Sequence, residues 1–168
     1  MKIAYVVGDD DPNDPDPDLD IPFVENAAKE LNMDLVFTNW QDKKVNWQDF
    51  DAAIIRSTWN YVPFRDDFVA WCKNVEKSTR LFNSSKIIEW NTDKKYLLEL
   101  EKSGIPIIPT KFCSQIIEAE NQIKWAFDQA KAIAIKPSIG AGARLAGRAT
   151  SIDEAKSLLN KVFDNNRI

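Results

Sequence analysis

The sequence predicts an α/β protein: an open, mostly parallel sheet with helices between its strands, followed by a smaller α+β segment. Three observations carry this. The runs Ile3–Val7 and Ala52–Ile55 are short and continuously apolar, the pattern of parallel strands buried on both faces. Apolar residues between and beyond them recur at helical spacing. Near Ile88 the pattern changes, which predicts a boundary between a first domain, 1–87, and a second, 88–168.

In chain order, Ile3–Val7 is the first strand. Asp and Pro then alternate from Asp9 to Asp20; proline lacks an amide donor and has a fixed φ, so this stretch is a loop, most simply a solvated one. Phe23, Val24, Ala27, Ala28 and Leu31 mark a helix from Pro22 to Asn32, and Asp34–Thr38 a strand. A Trp-rich connection leads to the strand Ala52–Arg56. Phe64, Phe68, Trp71, Cys72 and Val75 form the stripe of a second helix, and Arg80–Asn83 a short strand. Strands that alternate with helices in this way pair in parallel, and ligands bind beyond their carboxyl ends. In this chain those ends carry Gly8–Asp20, Asn39–Asp42 and Arg56–Tyr61.

In the second part, Asn91, Thr92 and Asp93 supply helix-start chemistry for a helix bearing Tyr96, Leu97 and Leu100 and stopping at Gly104. Ile105–Thr110 holds too many prolines for a central strand. A helix over Gln115–Ala130, a strand over Ala132–Lys136 and a loop of small residues, Pro137–Ala143, follow. Ser151 and Glu154 form a capping box for a last helix carrying Ile152, Ala155, Leu158, Leu159 and Val162.

Composition removes whole classes of function. The chain has 168 residues, 22 basic and 26 acidic, and no histidine. Ser-His-Asp and Cys-His catalysis and every His-containing zinc site are therefore excluded. The mild acidity argues against nucleic acid or an anionic membrane as partner. Cys72 and Cys113 stand too far apart for a CxxC pair. The N-terminus does not read as a signal peptide, and no apolar stretch approaches the ~20 residues that cross a bilayer. The expected setting is the cytoplasm, with reduced thiols. All six tryptophans are expected in packing, since large aromatics dominate cores.

The chemistry-bearing residues are two lysines. Lys94 opens a helix after Asn91–Asp93, where a cation faces the positive end of the helix dipole unless an anion is near. Lys136 closes an apolar strand and must bring its ammonium to a partner. The loop beyond it, with Ser138, Gly140, Ala141 and Gly142, carries little bulk, so its amides can approach phosphate oxygens closely. Together they suggest a nucleotide triphosphate held by two ammonium groups under a flap. A P-loop is excluded because its lysine follows the glycines, and a dinucleotide fingerprint because the third glycine is missing. The same two glycines also suit a plain hairpin turn.

These residues resemble a known family. Ile88–Leu98, Gly104–Thr110 and Ile135–Ala143 are similar to the front half of an ATP-grasp ligase. Ala52–Tyr61 resembles a narrower subgroup, similar to prokaryotic glutathione synthetase and the cyclo-ligase of cycloserine biosynthesis. The resemblance implies a pre-ATP-grasp domain (1–87) followed by the first, incomplete lobe of an ATP-grasp domain (88–168). It implies an ADP-forming carboxylate–amine (or thiol) ligase that uses ATP and Mg²⁺ and passes through an acyl phosphate. Carried over by position, Lys94 and Lys136 contact the phosphates and Ser138, Gly140, Ala141 and Gly142 form the flap. Arg56, Ser57, Asp20 and Arg65 lie on the substrate side, facing small carboxylate and amine substrates. The family's Mg²⁺ ligands have no matching positions in this sequence, and turnover by these residues alone is not expected. Two other readings stay open: a non-catalytic α/β module for a small amino-acid-like ligand, and a chain that associates with itself or another chain through the face a second lobe would cover.

Overall fold

The computed structural model describes residues 1–9 and 18–165. The chain divides into two compact units, Met1–Trp90 and Asn91–Ile168. Most of the predicted Asp–Pro loop, residues 10–17, lies outside the described residues.

In the first unit the strands β1 (Lys2–Val7), β2 (Asp34–Asn39), β3 (Ala52–Ser57) and β4 (Arg80–Phe82) form one sheet in the order β2-β1-β3-β4. Every pair is parallel, with Ile3 opposite both Leu35 and Ala52. The continuous apolar run of β1 is thereby explained: it is a central strand, and Ala4 and Val6 are wholly buried. The helices α1 (Ile21–Glu30), α2 (Arg65–Val75) and α3 (Ser85–Asn91) complete the unit.

Helix α2 supplies the heart of this core. Its Phe68, Val69, Cys72 and Val75 are buried; of the predicted stripe Phe68, Cys72 and Val75 hold, Trp71 is half-buried, and Phe64 stands exposed in the turn before the helix. Trp40 meets Phe68 edge-on at 5.0 Å between ring centroids, while Phe68 stacks on Trp71 at 5.6 Å and on Tyr61 at 5.3 Å. Burying such a side chain contributes about 1.5–3 kcal/mol. Two tryptophans depart from the expected packing role: Trp59 is 46% and Trp90 40% exposed. Trp59 stands in a 3-10 turn, Trp59–Phe64, just past the carboxyl end of β3, where the chain runs over the rim of the sheet.

In the second unit the helices α4 (Tyr96–Lys102), α5 (Ile116–Gln129) and α6 (Ile152–Asn165) accompany an antiparallel pair, β5 (Ile133–Ile135) and β6 (Gly147–Ala149). Ala119, Ile123, Ala149, Ala155 and Leu159 form its core. Ser151 caps α6 as predicted, its Oγ accepting from the Glu154 amide at 3.2 Å. The Glu154 carboxylate reaches one residue further back than a capping box requires, accepting from the Thr150 amide at 2.7 Å.

Three features correct the sequence reading. Asn91 ends α3 rather than starting a helix, and the Asp93 side chain instead accepts from the Lys95 amide at 3.0 Å to make a turn before α4. Lys94 therefore precedes α4 and is not in its first turn. Asn and Asp serve helix ends and turns alike, so the sequence does not separate the two uses. Strand β6 is a three-residue segment with no apolar alternation, visible only through its pairing with β5. The glycine loop therefore does close an antiparallel hairpin.

At the rim of the parallel sheet, Gly8 lies so close to Asn60 that a Cβ there would stand 2.0 Å from its Oδ1. That oxygen accepts from Trp40 Nε1 at 2.8 Å. Gly8→Ala should therefore push Asn60 away, leave the buried indole unpaired and cost about 1–3 kcal/mol. In an Asn60→Ala background, where that bond is already lost, the same substitution should cost markedly less; urea denaturation of the four proteins in this cycle measures the difference.

Candidate functional site

The second unit brings the two lysines together. Lys94 is half-buried, and its Nζ donates to the carbonyls of Ser138 at 3.3 Å and Gly140 at 3.1 Å. The Lys94 amide also donates to Ser138 O at 2.9 Å. The turn before α4 is thus stitched to the loop that leaves β5. Burial lowers the Lys94 pKa from the ordinary lysine value, the Lys136 charge lowers it further, and Asp93 partly opposes both. Lys136, at the exit of β5, is exposed. Among the described residues no carboxylate forms an ion pair with either lysine.

The loop is built for close approach. A Cβ on Gly140 would stand 3.1 Å from Pro137 Cγ and 3.7 Å from Lys94 Nζ. Gly142, Ala143 and Leu145 all have positive φ, at 58°, 56° and 59°. Two tight turns set this path: the Arg144 amide donates to Ala141 O at 3.1 Å and the Ala146 amide to Ala143 O at 2.9 Å. An ammonium has three donors, and carbonyls take two of those on Lys94. One donor and the neighbouring Lys136 charge are left for an anion, and the residues present fit a phosphate group.

The first unit holds a second group at the carboxyl end of β3. Arg56 pairs with Asp20, and Ser57 Oγ donates to the Asp18 carboxylate. Tyr5, on β1, donates its hydroxyl to the same Asp18 carboxylate at 3.2 Å. Burial raises the Tyr5 pKa from its ordinary value, Asp18 adds to that, and Arg56 works against it. The other Asp18 oxygen accepts from the Asp20 amide at 2.9 Å. Arg65, at the start of α2, donates to Asp66 at 3.2 Å and to the Glu89 carbonyl at 2.8 Å.

Of the residues singled out from sequence, Lys94, Lys136, Ser138 and Gly140 converge, with Ala141 and Gly142 further along the same loop. Arg56, Ser57 and Asp20 converge through two residues the sequence reading passed over, Tyr5 and Asp18. Tyr5 is the one polar group in the apolar run of β1, which was the available signal. Asp9, Asp18 and Asp20 are not the simply solvated residues expected of the loop, because Asn39 binds Asp9 and the other two carry the bonds above. Elsewhere, burial and Glu76 push the Cys72 thiol up to about 12, and burial also raises Cys113, so neither is a nucleophile at neutral pH. Both cysteines are free. No group of three or more His, Cys, Asp or Glu among the described residues could hold a metal ion. No helix among them is long and apolar enough to cross a membrane.

The parallel sheet and the comparisons with known proteins agree on a class: the chain resembles the N-terminal part of the ATP-grasp ligases. The particular likeness is to D-cycloserine synthetase. Residues 3–83 match the family of the N-terminal domain of D-cycloserine synthetase DcsG. The cycloserine biosynthesis protein DcsG of Streptomyces lavendulae is 30% identical over 126 residues, which is 73% of this chain and 42% of that protein. The crystal structure of D-cycloserine synthetase DcsG superimposes with a TM-score of 0.81 at 25% identity, covering 98% of this chain and 56% of that one. D-alanyl-alanine synthetase A of Vibrio cholerae shares the fold (TM-score 0.76, 11% identity, 98% and 56% of the two chains). So does N5-carboxyaminoimidazole ribonucleotide synthetase, solved with ADP (TM-score 0.68, 15% identity, 96% and 45%). The chain thus spans about half the length of these relatives.

The lysine pair makes a measurable statement. Lys94 should titrate below the ~10.4 of a free lysine, and Lys136→Met should raise its midpoint without restoring the free value, because burial is the larger cause. An NMR titration of the Lys94 side chain reads both.

Proposed function

We propose that the chain is the N-terminal portion of an ATP-dependent carboxylate–amine (or thiol) ligase, in which residues 88–168 grip the nucleotide phosphates and residues 1–87 face the substrate. One observation carries this reading: the Lys94 ammonium is held on the carbonyls of a loop of small residues, within electrostatic reach of Lys136, with no carboxylate paired to either among the described residues. Like charges so placed repel, and a polyanion relieves that repulsion.

Lys94 and Lys136 neutralise phosphate oxygens, while Ser138, Gly140, Ala141 and Gly142 lie over them. Phosphoryl transfer depends mainly on positioning and charge neutralisation, and two fixed lysines supply both without histidine. In a ligase of this type ATP activates the carboxylate as an acyl phosphate, the amine displaces phosphate, and ADP is released. No cluster of three or more His, Cys, Asp or Glu that could hold a metal ion occurs among the described residues, and no step is assigned to Mg²⁺ through them. The likeness to D-cycloserine synthetase supports small-molecule substrates, with Arg56, Ser57, Asp20 and Arg65 on their side.

Tripolyphosphate and ATP should therefore compete for one site on the 168-residue polypeptide. Lys136→Ala and Lys94→Ala should each weaken both ligands about tenfold, the ~1.4 kcal/mol scale of one charge-assisted contact. Calorimetric titration measures this. Equal affinities in wild type and variants, or no phosphate binding at all, would favour the non-catalytic small-ligand module.

A further inference from the structure

The carboxyl end of β3 holds a set of donors that is already filled, and filled from within the chain. Arg56, Ser57 and Tyr5 come from two adjacent central strands, so the sheet fixes them relative to one another. Their partners are two carboxylates from one short turn, Asp18 and Asp20, separated by a single residue. A guanidinium and two hydroxyls aimed at carboxylate oxygens are the donor set that recognises a carboxylate from any source.

We propose that Tyr5, Arg56 and Ser57 form a binding site for the carboxylate of a small ligand, and that the Asp18–Asp20 turn is its exchangeable internal occupant. The inference deepens the ligase reading, on which its choice of a small carboxylate ligand rests. Three features make the occupant exchangeable. The Arg56–Asp20 pair is open to water, with the two side chains 49% and 56% exposed, and exposed pairs contribute little. The cluster holds two carboxylates against one guanidinium, so release of one leaves its charges balanced. Asp20 also has an alternative position, because it is the N-cap residue of α1 yet its side chain makes no cap bond there. Freed from Arg56, its carboxylate lies beside the positive end of that helix. An arriving carboxylate thus exchanges the Arg56–Asp20 ion pair for its own and then competes with Asp18 for the Tyr5 and Ser57 hydroxyls.

The site is testable without nucleotide, so its failure is distinct from failure of the phosphate site. Acetate is titrated into the folded polypeptide at constant ionic strength, and the Arg56 side-chain resonance is followed by NMR. Asp20→Asn removes the competing charge while keeping a residue able to cap α1. It should tighten acetate binding about fivefold, the scale of freeing one exposed ion pair, and Arg56→Gln should abolish binding. Thermal melts identify any variant that fails to fold, and Asp18→Asn, expected to tighten binding in the same direction, then takes its place. Unchanged or weaker acetate binding in folded Asp20→Asn would overturn the proposal. So would binding of methylammonium that Asp20→Asn abolishes, because the aspartates would then be the recognition groups and not the occupants. If acetate fails to bind while tripolyphosphate binds through Lys136, only the carboxylate site falls; if tripolyphosphate fails, the ligase reading falls by itself.

Discussion

The contact on which the lysine loop of the second unit depends is the reach of Lys94 across to the carbonyls of Ser138 and Gly140. It ties a turn ahead of α4 to the loop leaving β5, segments 44 and 46 residues apart along the chain. Two carbonyls lower the cost of half-burying the ammonium, yet they leave its charge uncancelled. The pKa of Lys94 is lowered because Lys136 adds a second positive charge close by, after burial has already made the first one costly. A protein that only needed to join turn to loop could have done so with a neutral donor. Retaining two cations makes sense where a third, anionic party completes the arrangement.

The first unit follows a different logic. Parallel strands place their carboxyl ends on one rim, and the residues just beyond them share that rim. Trp40 after β2, Asn60 after β3 and Gly8 after β1 meet there through one hydrogen bond and one very close approach. Arg56, Ser57 and Tyr5 use the same geometry, with the Asp18–Asp20 turn folded over them. Polar groups of three strands and their loops are thus gathered at one end of an apolar sheet, while the rings of Trp40 and Tyr5 that carry two of them are buried.

The central strands of the first unit were legible because burial on both faces leaves an unmistakable apolar run, as in Ile3–Val7, whereas the helix Ser85–Asn91 was not foreseen. The helix α2 was legible through its stripe from Phe68 to Val75. What the sequence concealed was set by partners distant along the chain. Gly147–Ala149 becomes a strand only because Ile133–Ile135 pairs with it. Asn91–Asp93 has the composition of a helix start and is the end of one helix plus a turn. In the candidate sites, Lys94 and Lys136 were found from their neighbours, since small residues follow one and turn-forming residues precede the other. Asp18 was not, because an aspartate in an acidic, proline-rich stretch carries no local mark of the tyrosine and serine that bind it.

The bare backbone at Gly147 has a consequence for the loop end of its hairpin. Leu158 of α6 presses so closely there that a methyl group would stand 2.5 Å from its Cδ2. Sliding β6 by one step past β5 would bring Ala146 or Arg148 under that leucine, which would have to swing aside. The vacancy acts as an index pin for the ladder, holding Ile135 opposite Gly147. Since Lys136 is the next residue after Ile135, a missing side chain on the far strand dictates where that charge stands. A change at Gly147 is therefore felt across the hairpin, at the point where the loop to Lys136 departs.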